Sequence, residues 1–167
     1  MVGKIFFQEL FEQLSKERVR YVVVGGVAMV LYGAVRFTAD LDLLVDLEKK
    51  NVRKFIHCLN KLGYKPKVPV KIEEFALEKA RKKWIEEKGM KVFSFFHPEI
   101  RNRLLDVFTY LPINYEEVDK EKSMISAGEV TIPVISISHL KKLKNISGRL
   151  QDLADIEALE KLERMNG

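Results

Sequence analysis

Apolar positions along the chain follow two rhythms, one helical and one extended. Ile5, Phe6, Phe7, Leu10, Phe11 and Leu14 recur at helical spacing and predict an amphipathic helix over residues 4–16. Residues 21–24 are an apolar, β-branched run that reads as a buried strand. The paired glycines Gly25-Gly26 then open a short helix that ends near Gly33, and a second strand covers 40–45. An amphipathic helix over 48–62 is closed by Gly63, and residues 65–70, with Pro66 and Pro69, read as edge or loop. Ile72, Phe75, Ala76 and Trp84 keep helical spacing through the charged stretch 72–88. Strands are predicted over 90–96 and 103–110, a short helix over 115–120, and a hairpin pairing 122–125 with 130–135 through residues 126–129. Ser136 or Ser138 caps a basic helix. A last helix, from about 149 to 165, is expected to bury Leu150, Leu153, Ile156, Leu159 and Leu162. The pattern implies an α/β protein: a small mixed sheet with helices mainly on one side, and a C-terminal helical pair closing a cleft. Residues 1–135 would form the core and 136–167 a helical extension packed on it in the same compact unit.

Composition narrows the class. The 167 residues are 47% apolar and 32% charged, enough for one domain with a sizeable core. No apolar run reaches the roughly 20 residues that a membrane helix needs, and residues 1–10 lack the apolar core of a signal peptide, so a cytoplasmic protein with no membrane partner is expected. The single cysteine, Cys58, excludes an internal disulfide and a cysteine-based zinc cluster, and its helical setting makes it a packing residue. The net charge of +5 does not choose a partner. Its distribution is more informative: Lys141, Lys142, Lys144 and Arg149 meet no acid until Asp152. Such a cluster would draw a polyanion, so the end of a tRNA or another nucleic acid is one candidate acceptor. The histidines share no ligand spacing. GxxxxGK[ST], GxGxxG and HExxH are all absent, which argues against a P-loop NTPase, a Rossmann-type dinucleotide enzyme and a zincin.

The chemistry concentrates between Tyr21 and Leu47. Gly25 and Gly26, after a strand and before a helix, let bare backbone approach a ligand, and a phosphate is the anion that such a turn suits. Asp40 and Asp42 lie two apart in an apolar strand and so share one face. Two inward carboxylates opposite a phosphate cradle suggest bound Mg²⁺, with Mn²⁺ an alternative occupant. Arg36 and Thr38 lie near them by sequence. Arg36 either holds a phosphate or pairs with an aspartate. Asp106 sits mid-strand between apolar residues, and pairing with Arg101 or Arg103 is its structural alternative.

Strand, Gly25-Gly26, thirteen intervening residues, then Asp40-Leu41-Asp42 resembles the signature of the DNA polymerase β-like nucleotidyltransferase superfamily. Many members carry Gly-Ser and use the serine hydroxyl on a nucleotide phosphate; here Gly26 has none. The run from Lys142 to Leu159 is similar to the C-terminal motif of small stand-alone nucleotidyltransferases of the abortive-infection toxin type, in which a lysine and a following Arg…Asp pair complete the site. The resemblance implies a nucleotidyltransferase fold with Asp106 as third carboxylate on a neighbouring strand. It implies catalytic and metal-holding Asp40, Asp42 and Asp106 around two Mg²⁺ ions. It also implies an NTP held by Gly25, Gly26, Arg36, Thr38, Lys144, Arg149 and Asp152. The implied reaction moves a nucleoside monophosphate to an acceptor hydroxyl, with Asp106 taking the proton and pyrophosphate leaving. Two other readings stay open: a catalytically silent nucleotide-binding module, and one component of a two-protein toxin-antitoxin system. A partner protein or a homodimer fits the latter.

Overall fold

The computed structural model of the chain describes residues 7–148 and 150–166. Its centre is a mixed sheet of seven strands: β1 (Tyr21–Val24), β2 (Leu41–Val45), β3 (Lys65–Pro66), β4 (Val92–His97), β5 (Ile100–Phe108), β6 (Ser123–Ala127) and β7 (Val130–Val134), in the spatial order β3-β4-β5-β2-β1-β7-β6. The α/β architecture expected from the alternating patterns is therefore present. β2 runs antiparallel to β1 and parallel to β5, and that second pairing sets Leu41 against Leu105, Asp42 against Asp106 and Leu43 against Val107. The β6–β7 hairpin turns through Gly128 and Glu129, with Gly128 in the left-handed region at φ 62°.

The pleat separates core from site. Leu41, Leu43, Leu105 and Val107 alternate with the aspartates and are fully buried, as are their neighbours Phe93 and Phe95 on β4. The helix α3 (Lys49–Leu62) brings Phe55 against Phe95. A 3₁₀ turn, Ile72–Ala76, brings Phe75 against both Phe93 and Phe95, and α4 (Glu78–Lys88) stacks Trp84 on Phe93 at 4.8 Å between ring centroids. One face of this part of the sheet is thereby sealed with aromatic side chains. The helical pattern over 72–88 is broken at Leu77, whose extended backbone (φ −92°, ψ 116°) separates the 3₁₀ turn from α4. The N-terminal helix α1 (Gln8–Lys16) buries Leu10, Phe11 and Leu14 as its periodicity requires, and Phe7 joins the core; Ile5 and Phe6 lie outside the described residues.

Two short helices, α2 (Gly25–Leu31) and α5 (Tyr115–Glu121), connect strands, and α6 (Ile137–Ser147) and α7 (Leu150–Asn166) pack on each other at the C-terminus. Ser136 is the cap of α6, accepting from the His139 N–H at 3.1 Å. For α7 the expected stripe holds only in its second half. Leu159 is buried and Leu162 packs on the core, but Leu150 is 86% exposed and Leu153 51%, and the first turns bury Asp152 and Asp155 in their place. The physical reason is charge: α7 turns its acids inward because two cations wait there, and that pairing outweighs covering two leucines. No helix among the described residues is long and apolar enough to cross a membrane.

Candidate active site

The open face of the sheet carries the carboxylates. Asp42 and Asp106 are direct partners across the β2–β5 ladder, and Ser94 is the partner of Asp106 across β4–β5, so all three side chains share one face. Ser94 donates its hydroxyl to Asp106 Oδ1 at 2.6 Å. Asp106 therefore has a local donor, and the alternative pairing with Arg101 or Arg103 does not form; Arg103 donates to the Ala39 carbonyl at 3.1 Å instead. Asp40 lies one residue before β2, which begins at Leu41, and its Oδ1 accepts the Leu104 N–H at 2.9 Å. Asp40 thus adds negative charge beside the pair while one of its oxygens anchors β5.

Crowding changes how these acids titrate. Burial, then the charges of Asp106 and Asp40, push the Asp42 carboxyl up to about 7, with Lys144 and Arg36 opposing. Burial likewise raises Asp106, and the Ser94 hydrogen bond draws it back. Among the described residues no three His, Cys, Asp or Glu side chains gather into a ready metal cage. The donors nevertheless suit a hard divalent cation: oxygens on neighbouring strands, strained by like charge that a cation would relieve.

The glycines fit beside this pair for reasons of packing. Gly25 stands at φ 68°, and a Cβ there would run into the Asp42 carboxylate. A Cβ on Gly26 would meet Thr38 Oγ1 at 2.7 Å. Thr38 also donates its hydroxyl to the Asp40 carbonyl at 3.3 Å, a bond within the loop before β2.

Across the cleft, Lys144 is 7% exposed, with its ammonium 2.8 Å from Asp155 and 3.6 Å from Asp152. Arg36 pairs with the same Asp155 carboxylate, so of its two sequence alternatives the aspartate pairing is present, with a partner 119 positions along the chain. Asp155 and Ser94 were not singled out in the sequence. Neither had a signal, since the leucine spacing of the last helix turns Asp155 outward and a serine in a strand is unremarkable. Arg149 lies outside the described residues. The lysine run without acids in sequence meets acids in space: Lys141 bonds Glu163 at 2.7 Å and Lys144 bonds Asp155, leaving Lys142 exposed. Among the described residues, two of the three α6 lysines are thus engaged by acids of α7.

Gly25, Asp42, Ser94, Asp106, Lys144 and Asp152 all line one cleft of about 660 Å³. A glycine turn, a carboxylate pair on two neighbouring strands and a roofing helix are thus gathered round one cleft. The chain belongs to the family described as nucleotidyltransferase of unknown function (DUF6036), whose model matches residues 5–166. The fold is similar to that of the lincosamide antibiotic adenylyltransferase LnuA in its lincomycin-bound structure, with 22% identity and a TM-score of 0.58 over 95% of this chain and 98% of that one. It is similar to ANT(2")-Ia in complex with adenylyl-2"-tobramycin, with 13% identity and a TM-score of 0.57 over 94% and 90% of the two chains. An antigenic nucleotidyltransferase-like protein from Paracoccidioides brasiliensis matches at 15% identity and a TM-score of 0.58 over 92% of this chain and 72% of that one. No curated protein matches the sequence.

Proposed function

We propose that the chain transfers a nucleoside monophosphate from an NTP to an acceptor hydroxyl. The observation that carries the proposal is the Asp42–Asp106 pair in cross-strand register on the wall of the cleft, beside the glycine turn. The acceptor oxygen would form a bond to the α-phosphorus as the bond to the β-phosphate bridging oxygen breaks, and pyrophosphate would leave. Asp106, already raised by burial, is suited to take the acceptor proton. Asp42 and Asp106, with the second oxygen of Asp40, would hold Mg²⁺ or Mn²⁺, which supplies charge stabilisation to the phosphoryl oxygens. Gly25 and Gly26 would face the triphosphate, with Thr38 behind them. Arg36 and Lys144, whose charges act on Asp42, would be its cations, and Asp152 and Asp155 fix where those cations sit. Two of the similar proteins are seen with an antibiotic or its adenylyl adduct bound, and a hydroxylated small molecule is accordingly the acceptor class to test first.

The test incubates the protein with Mg²⁺ and each α-labelled NTP in turn. The acceptors are a neutral sugar derivative, lincomycin, tobramycin and tRNA. Label should move to one acceptor with release of pyrophosphate, and Asp42→Asn should abolish both. Absence of pyrophosphate release with every NTP, or full activity of Asp42→Asn, would defeat the proposal.

A further inference from the structure

The wall of the cleft beyond Asp106 is apolar. On the face shared by Ser94 and Asp106, the next residues outward along the two strands are Val92 and Phe108, which are themselves cross-strand partners. Residues two apart on a strand are separated by about 7 Å, so Phe108 begins within one sugar width of the Asp106 carboxylate. Tyr110 continues the wall, its ring centroid 6.1 Å from that of Phe108. From the roof, α6 contributes Leu143 and Ile146, the latter 56% exposed. Apolar side chains left partly uncovered beside half-buried carboxylates mark a place where a ligand's apolar surface belongs.

Resting on the transferase reading above, we infer that Val92, Phe108, Tyr110, Leu143 and Ile146 form the acceptor subsite, and that it takes a neutral hydroxylated molecule with an apolar face. Position assigns it to the acceptor. Gly25 and Gly26 lie on the β1 side of the carboxylate pair, where the departing pyrophosphate would sit, and in-line attack brings the acceptor from the opposite side, toward β5 and β4. Charge assigns the class. The acids lining the cleft are Asp42 and Asp106, which belong to the phosphate chemistry, and Asp152, which faces Lys144. A polycationic acceptor would find no acid to spare. A polyanion would find the α6 lysines mostly engaged by α7, with Lys91 at the cleft wall.

The probes are methyl, butyl and octyl β-D-glucoside below micelle formation, titrated onto the full chain by saturation-transfer NMR without nucleotide. Affinity should rise at least tenfold from methyl to octyl. Ile146→Asp, a change at an exposed helix position, and Phe108→Ala should each remove most of that gain, with a smaller effect on ATP affinity. Equal affinity along the series would overturn the inference, as would tighter binding of tobramycin or tRNA than of octyl glucoside. If both variants lose ATP binding as steeply as glucoside binding, the wall serves the nucleobase and the acceptor assignment fails. Because the titration needs no nucleotide, it separates the two proposals. Asp42-dependent pyrophosphate release with length-independent glucosides would leave the transferase reading standing and this inference overturned. Length-dependent binding without pyrophosphate release from any NTP would defeat the transferase reading, and with it the acceptor assignment.

Discussion

Thr38 Oγ1 occupies the space that a side chain on Gly26 would need: a Cβ there would lie 2.7 Å from the hydroxyl and 3.0 Å from Thr38 Cβ. The absence of a serine at position 26 is therefore a packing consequence, since the turn holds one hydroxyl group and Thr38 supplies it from the adjoining loop. Gly26→Ser should destabilise by about 1–3 kcal/mol through overpacking and weaken ATP binding. Gly26→Ser combined with Thr38→Ala should recover most of both losses. Melting temperature and an ATP titration on the single and double variants check this, and strict additivity would show that the two sites do not share the space. Gly26→Val should fail chiefly by displacing Thr38, rather than by intruding directly on a phosphate.

The pH dependence of stability should carry the signature of Asp42. Its native carboxyl is raised to about 7 from an ordinary 3.8. Between those values the native state binds more protons than the unfolded chain. The stability tied to this group is complete below the lower value and is lost as pH rises through the upper one. Asp42→Asn, which never ionises, should be more stable than the parent by on the order of 1–3 kcal/mol near pH 8 without divalent ions, and the difference should shrink by more than half near pH 5. Added Mg²⁺ should raise the melting temperature of the parent more than that of the variant. Thermal unfolding at both pH values, with and without Mg²⁺, provides the reading.

Ser94 should matter through Asp106. Losing the 2.6 Å hydrogen bond removes the contact that holds the Asp106 carboxyl down against burial, so Ser94→Ala should raise it further. The acid limb of the activity profile should move to higher pH and Mg²⁺ affinity should fall. Ser94→Thr, which keeps a hydroxyl, should restore both. An unchanged profile in Ser94→Ala would mean that the hydrogen bond does not orient the reacting carboxylate.

Sequence revealed most where spacing is enforced by geometry. A strand, two glycines and a second strand left the order β1-α2-β2 readable, although Asp40 falls one residue before that second strand. The placement of Asp106 within a strand was readable from its apolar neighbours, and its role came from the family resemblance. What stayed hidden was contact between distant segments: Thr38 against Gly26, Ser94 against Asp106, and Arg36 against Asp155. The periodicity of α7 misled in its first turns, since Leu150 and Leu153 have the spacing of the face that buries Leu159 but point outward. Hydrophobic counting assumes that apolar burial dominates. In α7 two inward acids meeting a lysine and an arginine set the rotation of the helix instead.

That rotation gives the last prediction, in which two partners of one ion pair should have opposite effects on nucleotide binding. Asp155 holds Lys144 and Arg36 together, with Lys144 and Asp155 each 7% exposed. Asp155→Asn removes the counter-charge from two cations and should lower stability by about 1–3 kcal/mol, the partial exposure of Arg36 softening the loss. The freed cations would then favour an incoming triphosphate, so ATP affinity should hold or rise in the variant. Lys144→Ala also destabilises, since it takes one cation from Asp155 and Asp152, but it should lower ATP affinity because it removes the buried charge that would face the phosphates. Lys141→Ala breaks only the bond to Glu163 and should leave ATP affinity unchanged. Melting curves and ATP titrations on the three variants separate the possibilities. If Asp155→Asn and Lys144→Ala weaken ATP to the same extent, the cluster is a structural clamp and the triphosphate is bound elsewhere.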